Sequence, residues 1–155
     1  MKILFTHSYF YKLDAKQWRF KQPYPPLGTI LAASVMREQG YDVILFDTNL
    51  KDDPREIVPV LKQHQPKYVV LFDDGFNYLT KMCLTNMREA AFVMSAAGKQ
   101  SGCTVIVSSS DAADQYDKYL DLGVDYDVKG EGEETLKELI ATIEGGEDPS
   151  AVPGI

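Results

Sequence analysis

Apolar residues collect in five short runs: Ile3-Leu4-Phe5, Val43-Ile44-Leu45-Phe46, Tyr68-Val69-Val70-Leu71-Phe72, Val105-Ile106-Val107 and Tyr126-Asp127-Val128. Each is bounded by Gly, Pro, Asp or Lys, which predicts strands. The runs are continuous rather than alternating, the pattern of strands in a parallel sheet with helices on both faces. The fifth run is the weakest. Helical periodicity fills the intervals. Leu27, Ile30, Leu31 and Val35 share one face of a helix that Gly40 would end, and Leu136, Leu139, Ile140 and Ile143 repeat before Gly145-Gly146. Asp53-Pro54 caps and opens a helix that Pro66 stops. Residues 81–99 carry Met87, Ala90, Ala91, Met94 and Ala97 at helical spacing, and 114–122 reads as a shorter, polar helix. Strict alternation of strand and helix predicts the α/β class with right-handed crossovers: a flavodoxin-like, doubly wound, five-stranded parallel sheet in a Rossmann-like three-layer arrangement.

Such sheets bind ligands beyond the carboxyl ends of their strands, at the switch point between the first and third. The connection from His7 to Pro25 is far longer than the usual two to six residues, and the stretch 73–80 after the third run is also long. Three βα turns at that edge carry small or acidic residues: Tyr24-Pro25-Pro26-Leu27-Gly28, Ser108-Ser109-Ser110-Asp111 and Lys129-Gly130-Glu131-Gly132-Glu133-Glu134. Singly, each is ordinary capping and turn chemistry. Together they mark one edge of the sheet. No G-x-G-x-x-G follows the first strand, and neither a P-loop nor a G-x-S-x-G elbow occurs. Of two histidines, His7 ends the first strand, where a loop-anchoring hydrogen bond is its ordinary role, and His64 suits a helix C-terminus. Asp73-Asp74 resembles the acidic pocket of receiver domains, but Thr6-His7-Ser8 replaces the acidic residues such a pocket needs after the first strand.

Composition narrows the class. The 155 residues, 45% hydrophobic and 25% charged, suit one globular domain. Sixteen basic against 23 acidic residues give a net charge of -7, which argues against nucleic acid as a partner. The charge is uneven: Asp111 to Asp148 holds thirteen acidic and three basic residues, whereas Lys12, Lys16, Arg19 and Lys21 sit in the first loop among Tyr9, Phe10, Tyr11, Trp18, Phe20 and Tyr24. That aromatic, basic loop either covers a flat ligand or another domain, or folds back as a satellite cluster. Two cysteines, Cys83 and Cys103, are too few for a zinc site or an iron–sulfur cluster. With no membrane-spanning run and no signal-peptide pattern, a cytoplasmic location is expected.

Three segments carry a family resemblance. Pro25-Pro26-Leu27-Gly28, opening a helix that ends Met36-Arg37-Glu38-Gln39-Gly40-Tyr41-Asp42-Val43, resembles the start of the N-terminal cobalamin (B12)-binding domain of B12-dependent radical S-adenosylmethionine proteins. The stretch Gly123-Val124-Asp125-Tyr126-Asp127-Val128-Lys129-Gly130-Glu131-Gly132-Glu133-Glu134-Thr135-Leu136 is similar to their G-V-D-x-V-V-x-G-E-G-E-x-T signature, and Val152-Pro153-Gly154-Ile155 to the segment leading towards their catalytic domain.

The resemblance implies a cobalamin-binding domain over 1–150 and, in 151–155, the start of a linker to a C-terminal radical S-adenosylmethionine domain, which would hold the 4Fe-4S cluster and S-adenosylmethionine. This chain alone would not be catalytic. The expected cofactor contacts are His7, Ser8 and Tyr9; Leu27 and Gly28; Asp73, Asp74, Gly75, Phe76, Asn77 and Tyr78; Ser108, Ser109, Ser110 and Asp111; and Gly130, Glu131 and Gly132. Two departures qualify the resemblance. The serine turn stands where the family has a Gly-Gly-Pro-His-like turn, and no D-x-H-x-x-G motif is present to place a histidine beneath cobalt, which would leave His7, Tyr9 or Asn77 near that face. The alternative is a domain of the same fold that no longer binds cobalamin and serves as a substrate-recognition or domain-interaction module.

Overall fold

The computed structural model describes residues 1–73 and 84–155. Five parallel strands, β1 (Lys2–Thr6), β2 (Asp42–Phe46), β3 (Tyr68–Phe72), β4 (Thr104–Ser108) and β5 (Tyr126–Asp127), lie in the order β2-β1-β3-β4-β5, the flavodoxin-like arrangement. In sequence order the helices of the described residues are α1 (Ala15–Trp18), α2 (Leu27–Glu38), α3 (Ile57–His64), α4 (Leu84–Gln100), α5 (Ser110–Asp114), α6 (Tyr116–Asp121) and α7 (Gly132–Gly145). None of them is long and apolar enough to cross a membrane.

Alternation of side chains along each strand divides the interior into two cores. Leu4, Val69, Leu71, Val105 and Val107 point to one face, under α3, α4 and Tyr119 of α6. Ile3, Phe5, Tyr68, Val70, Phe72 and Ile106 point to the other, under Ala32, Ala33 and Met36 of α2 and Leu136, Leu139 and Ile140 of α7. Burial on both faces is why the strands are continuously apolar. Helix α4 lies close to the sheet because its inner face is small: a Cβ on Gly98 would stand 3.0 Å from Val105 and 3.3 Å from Val69.

The capped helices follow their sequence signals. Asp53 and Glu56 form a capping box on a 3₁₀ turn, Pro54–Glu56, that leads into α3, and α3 ends at Gln65 in the left-handed region (φ 49°), ahead of Pro66. Two expectations are corrected, and one left open between two readings is decided. Residues 7–25 are not one irregular connection: Tyr11–Leu13 forms a 3₁₀ turn, and the Asp14 carboxylate accepts from Lys16 N and Gln17 N to start α1. The loop aromatics fold back as a satellite cluster of Tyr9, Tyr11, Trp18, Tyr24 and Met87, leaving Phe20 exposed. The single helix expected over 114–122 is two helices broken at Gln115, the first beginning at Ser110 because Ser109 Oγ caps it through Ala112 N at 2.9 Å. Residues 151–155 lie against the body: Val152 is buried, Lys129 N donates to Gly154 O at 2.8 Å and Thr135 Oγ1 to Pro153 O at 3.2 Å.

One buried group is poorly accommodated. Asp127, on edge strand β5, is buried with neither carboxylate oxygen hydrogen-bonded, and burial pushes its carboxyl above the usual range against a weaker pull from Lys129. A raised folded-state value favours the protonated form, so stability present below the ordinary carboxylate range is lost as pH rises through the raised value. Asp127→Asn should therefore gain on the wild type as pH rises, by about 1–3 kcal/mol at pH 8, and converge with it near pH 4. Urea unfolding across that range measures the difference.

Candidate functional site

The carboxyl ends of β1 and β3 are closed against each other. Ser8 N donates to Asp73 Oδ1 and Ser8 Oγ to Asp73 Oδ2, both at 2.7 Å. Burial pushes the Asp73 carboxyl up, and the Ser8 hydrogen bonds offset this only in part. The open space lies beside this clamp, over the ends of β3, β4 and β5. It is a cleft of about 590 Å³ lined by Gly28, Phe72, Asp73, Ser108, Ser109, Ser110, Ala113, Asp114, Val128, Gly130, Glu131, Gly132 and Glu133. Among the described residues this open space lies one strand along from the β1/β3 switch point, towards β5.

Its walls are fixed by identifiable contacts. Thr29 Oγ1 donates to Phe72 O at 2.6 Å, tying the first turn of α2 to the end of β3. Gly130 holds a left-handed turn (φ 76°) that swings the chain into α7. Gly132, in the first turn of α7, forms the floor: a Cβ there would stand 2.8 Å from Ser108 Oγ and 3.0 Å from both Phe72 and Val128. The floor is thus apolar apart from one hydroxyl. Among the described residues, Asp73, Asp114, Glu131 and Glu133 bring carboxylates to the cleft, and no basic residue lines it.

Gly28, Asp73, Ser108, Ser109, Ser110, Gly130, Glu131 and Gly132, expected from separate turns, meet in this one cleft. Other expected residues lie elsewhere. The His7 ring is enclosed by Asp47 Oδ1 (3.0 Å from Nε2) and by Thr48 N and Oγ1 (each 3.2 Å from Nε2), anchoring the first loop to the end of β2. The Asp47 carboxyl is held low by His7. Ser8 is engaged with Asp73, and Tyr9 is buried with its hydroxyl on Asp14 at 3.0 Å. Leu27 is exposed beside the cleft without lining it. Asp74, Gly75, Phe76, Asn77 and Tyr78 lie outside the described residues.

Asp111 turns away from the cleft. Arg88 of α4 holds both its oxygens, at 2.8 Å from Nε and 2.5 Å from a terminal nitrogen, and Tyr119 Oη donates at 2.8 Å. Burial opposes its ionisation, but these donors outweigh burial and keep the carboxyl below its usual range. The network pins α5, and with it the serine wall, to α4 and α6. Residues that the sequence reading did not select also line the cleft: Phe72 and Val128 end apolar runs at the binding edge, and Ala113 and Asp114 enter because α5 begins earlier than its polarity indicated. Among the described residues no cluster of His, Cys, Asp and Glu is arranged to hold a metal ion.

The described strands and helices define a flavodoxin-like three-layer α/β protein. Its fold is similar to that of the cobalamin-dependent S-adenosylmethionine radical enzyme OxsB, a structure solved with aqua-cobalamin and S-adenosylmethionine bound. The TM-score is 0.69 at 19% identity, over 99% of this chain and 20% of that one. This chain thus spans about a fifth of that enzyme's length, and the likeness is one of fold. No protein-family model and no curated protein matches the chain.

Replacing Arg88 by Met should cost about 1–3 kcal/mol, the usual loss when a charged hydrogen-bond partner is withdrawn. Because the folded Asp111 carboxyl titrates low, its contribution is present above the ordinary carboxylate range and lost as pH falls. The variant's stability should accordingly fall less steeply in acid than the wild type's. Urea unfolding at pH 7 and pH 4 tests this, and faster amide exchange confined to α5 is the accompanying signature.

Proposed function

We propose that this chain is a cobalamin-binding module, serving a radical S-adenosylmethionine domain that carries the 4Fe-4S cluster and performs the reaction. One observation carries the reading. Two of the three segments that resemble the family in sequence lie about a hundred residues apart, and they meet in the same cleft, Gly28 from the first and Gly130 to Gly132 from the second.

The residues fit the group in three respects. A cleft of about 590 Å³ is the size of a small-molecule site; it suits the nucleotide tail of cobalamin, with the larger corrin across its rim. Its floor of Phe72, Val128 and Gly132 is apolar, as an aromatic base requires, and Gly132 lets the first turn of α7 pack directly on Ser108, Phe72 and Val128. Its border of carboxylates accepts hydrogen bonds, which suits the amide-fringed edge of a corrin better than a polyphosphate, since no basic residue among those described lines the cleft. The serine turn is compatible with this, because Ser109 spends its hydroxyl on capping α5 and Ser108 offers one small donor at the floor. When bound, cobalamin supplies methyl-transfer or related radical chemistry at its cobalt. The chain's part is to hold and orient it, with His7 committed to Asp47 and Thr48 instead of the cleft.

Hydroxocobalamin mixed with the purified chain and passed through gel filtration should co-elute with the protein. Gly132→Val should weaken binding at least tenfold, and so should Ser110→Trp at the exposed lip, which leaves the cores untouched. A folded wild-type chain that elutes without corrin absorbance overturns the reading and leaves the interaction module in its place.

A further inference from the structure

The β2 edge of the sheet, opposite β5, carries a strand left uncovered by the described residues. In the parallel ladder Asp42 N donates to Met1 O at 2.9 Å and β2 pairs Lys2↔Asp42 through Thr6↔Phe46. Backbone groups alternate sides along a strand, so those of Asp42, Ile44 and Phe46 face β1, and the N–H and C=O of Val43 and Leu45 point away from the sheet. Edge strands are ordinarily blunted by lysine, proline, a bulge or a covering element. Val43-Ile44-Leu45-Phe46 has no such residue, and the apolar surface continues beyond it. Leu45 is 43% exposed, and Leu27 and Leu31 on the neighbouring helix α2 are 58% and 50% exposed. A shallow groove of about 160 Å³ between α2 and β2, lined in part by Ile30, Arg37, Val43 and Leu45, runs along this edge.

We infer that the β2 edge is the contact surface for a second copy of this chain, joined about a two-fold axis into one continuous ten-stranded sheet. The outward groups are self-complementary in a single compact register. Antiparallel pairing centred on Ile44 sets Val43 opposite Leu45 of the partner and Leu45 opposite its Val43, so that all four outward N–H groups find carbonyls. The side chains of Val43 and Leu45 lie on the α2 face, and pairing covers them together with Leu27 and Leu31. Charge agrees with the same axis. Arg37, exposed at the groove near the start of β2, has no ion pair among the described residues, and Asp47, just past its end, keeps a half-exposed carboxylate. Antiparallel pairing brings the start of one strand beside the end of the other, so Arg37 faces the partner's Asp47 twice. A two-fold contact of this kind closes on itself and removes the open edge.

Size-exclusion chromatography with light scattering on the whole chain, from micromolar to several hundred micromolar, should give a mass rising to twice the monomer. Leu45→Lys places a charge at a half-exposed position and should return the mass to the monomer with an unchanged circular dichroism spectrum. In the proposed register residue 44 lies opposite itself in a non-hydrogen-bonded pair about 4.5 Å apart, within disulfide reach. Ile44→Cys should thus form an oxidised dimer that the parent chain and a Ser150→Cys control do not. A monomer at every concentration, a dimer indifferent to Leu45→Lys, or crosslinking no faster at 44 than at 150 would each overturn the inference and leave the edge to a different chain.

Discussion

Burial of the central strands on both faces governs everything else here. A strand with no solvated side must be apolar throughout, must satisfy its backbone within the sheet, and must be left by a connection that carries a helix across one face or the other. With five strands in the order β2-β1-β3-β4-β5, that requirement places α2 and α7 on one face and α3, α4 and α6 on the other. All the carboxyl ends then fall along one edge. The cleft is a consequence of this arrangement: α2 and α7 share a face, their first turns approach the ends of β3, β4 and β5, and the space between them is bounded by whatever those turns contain.

What lines that space is chiefly glycine, serine and carboxylate, and each has a physical reason. Gly132 is where helix α7 presses against the ends of β3 and β4, and no side chain fits there without moving Ser108, Phe72 or Val128. The serines divide their work, since Ser109 satisfies an amide of α5 and Ser108 remains at the floor. The carboxylates divide as well. Asp111 is turned out and neutralised by Arg88, and Asp73 is drawn onto Ser8, tying the ends of β1 and β3 together beside the cleft.

The strands, their order and the glycine-bearing turns were legible in the sequence because each rests on a local signal: a continuous apolar run, a cap at Asp53 ahead of Pro54, a glycine past a helix end. The first loop was legible only as two alternatives. Its aromatics pack on one another and on Met87, a residue of α4, and only the tertiary structure brings that partner to them. The start of α5 was obscured because Ser108-Ser109-Ser110 reads equally as a turn and as a cap, and the bond to Ala112 N decides between them. Asp111 was misplaced for a related reason: its partner Arg88 is 23 residues away, so a carboxylate that looked free at the binding edge is held by the opposite layer. Local chemistry selected the neighbourhood of the cleft, and long-range pairing decided which side chains face it.

The two edges of the sheet show how differently the same liability is handled. Strand β5 is two residues long, points a buried carboxylate inward at Asp127, and has the 152–155 segment fastened beside it through Lys129 N and Gly154 O. Shortness, an inward charge and a covering segment are recognised means of stopping a sheet from recruiting another strand. Asp127 is costly for stability, and its position on an edge strand is where that cost has a return in specificity. Strand β2 has none of these devices, and the helix beside it exposes leucines on the same face. A chain that guards one edge at the expense of an unsatisfied carboxylate and leaves the other apolar and straight is built for pairing on one side only.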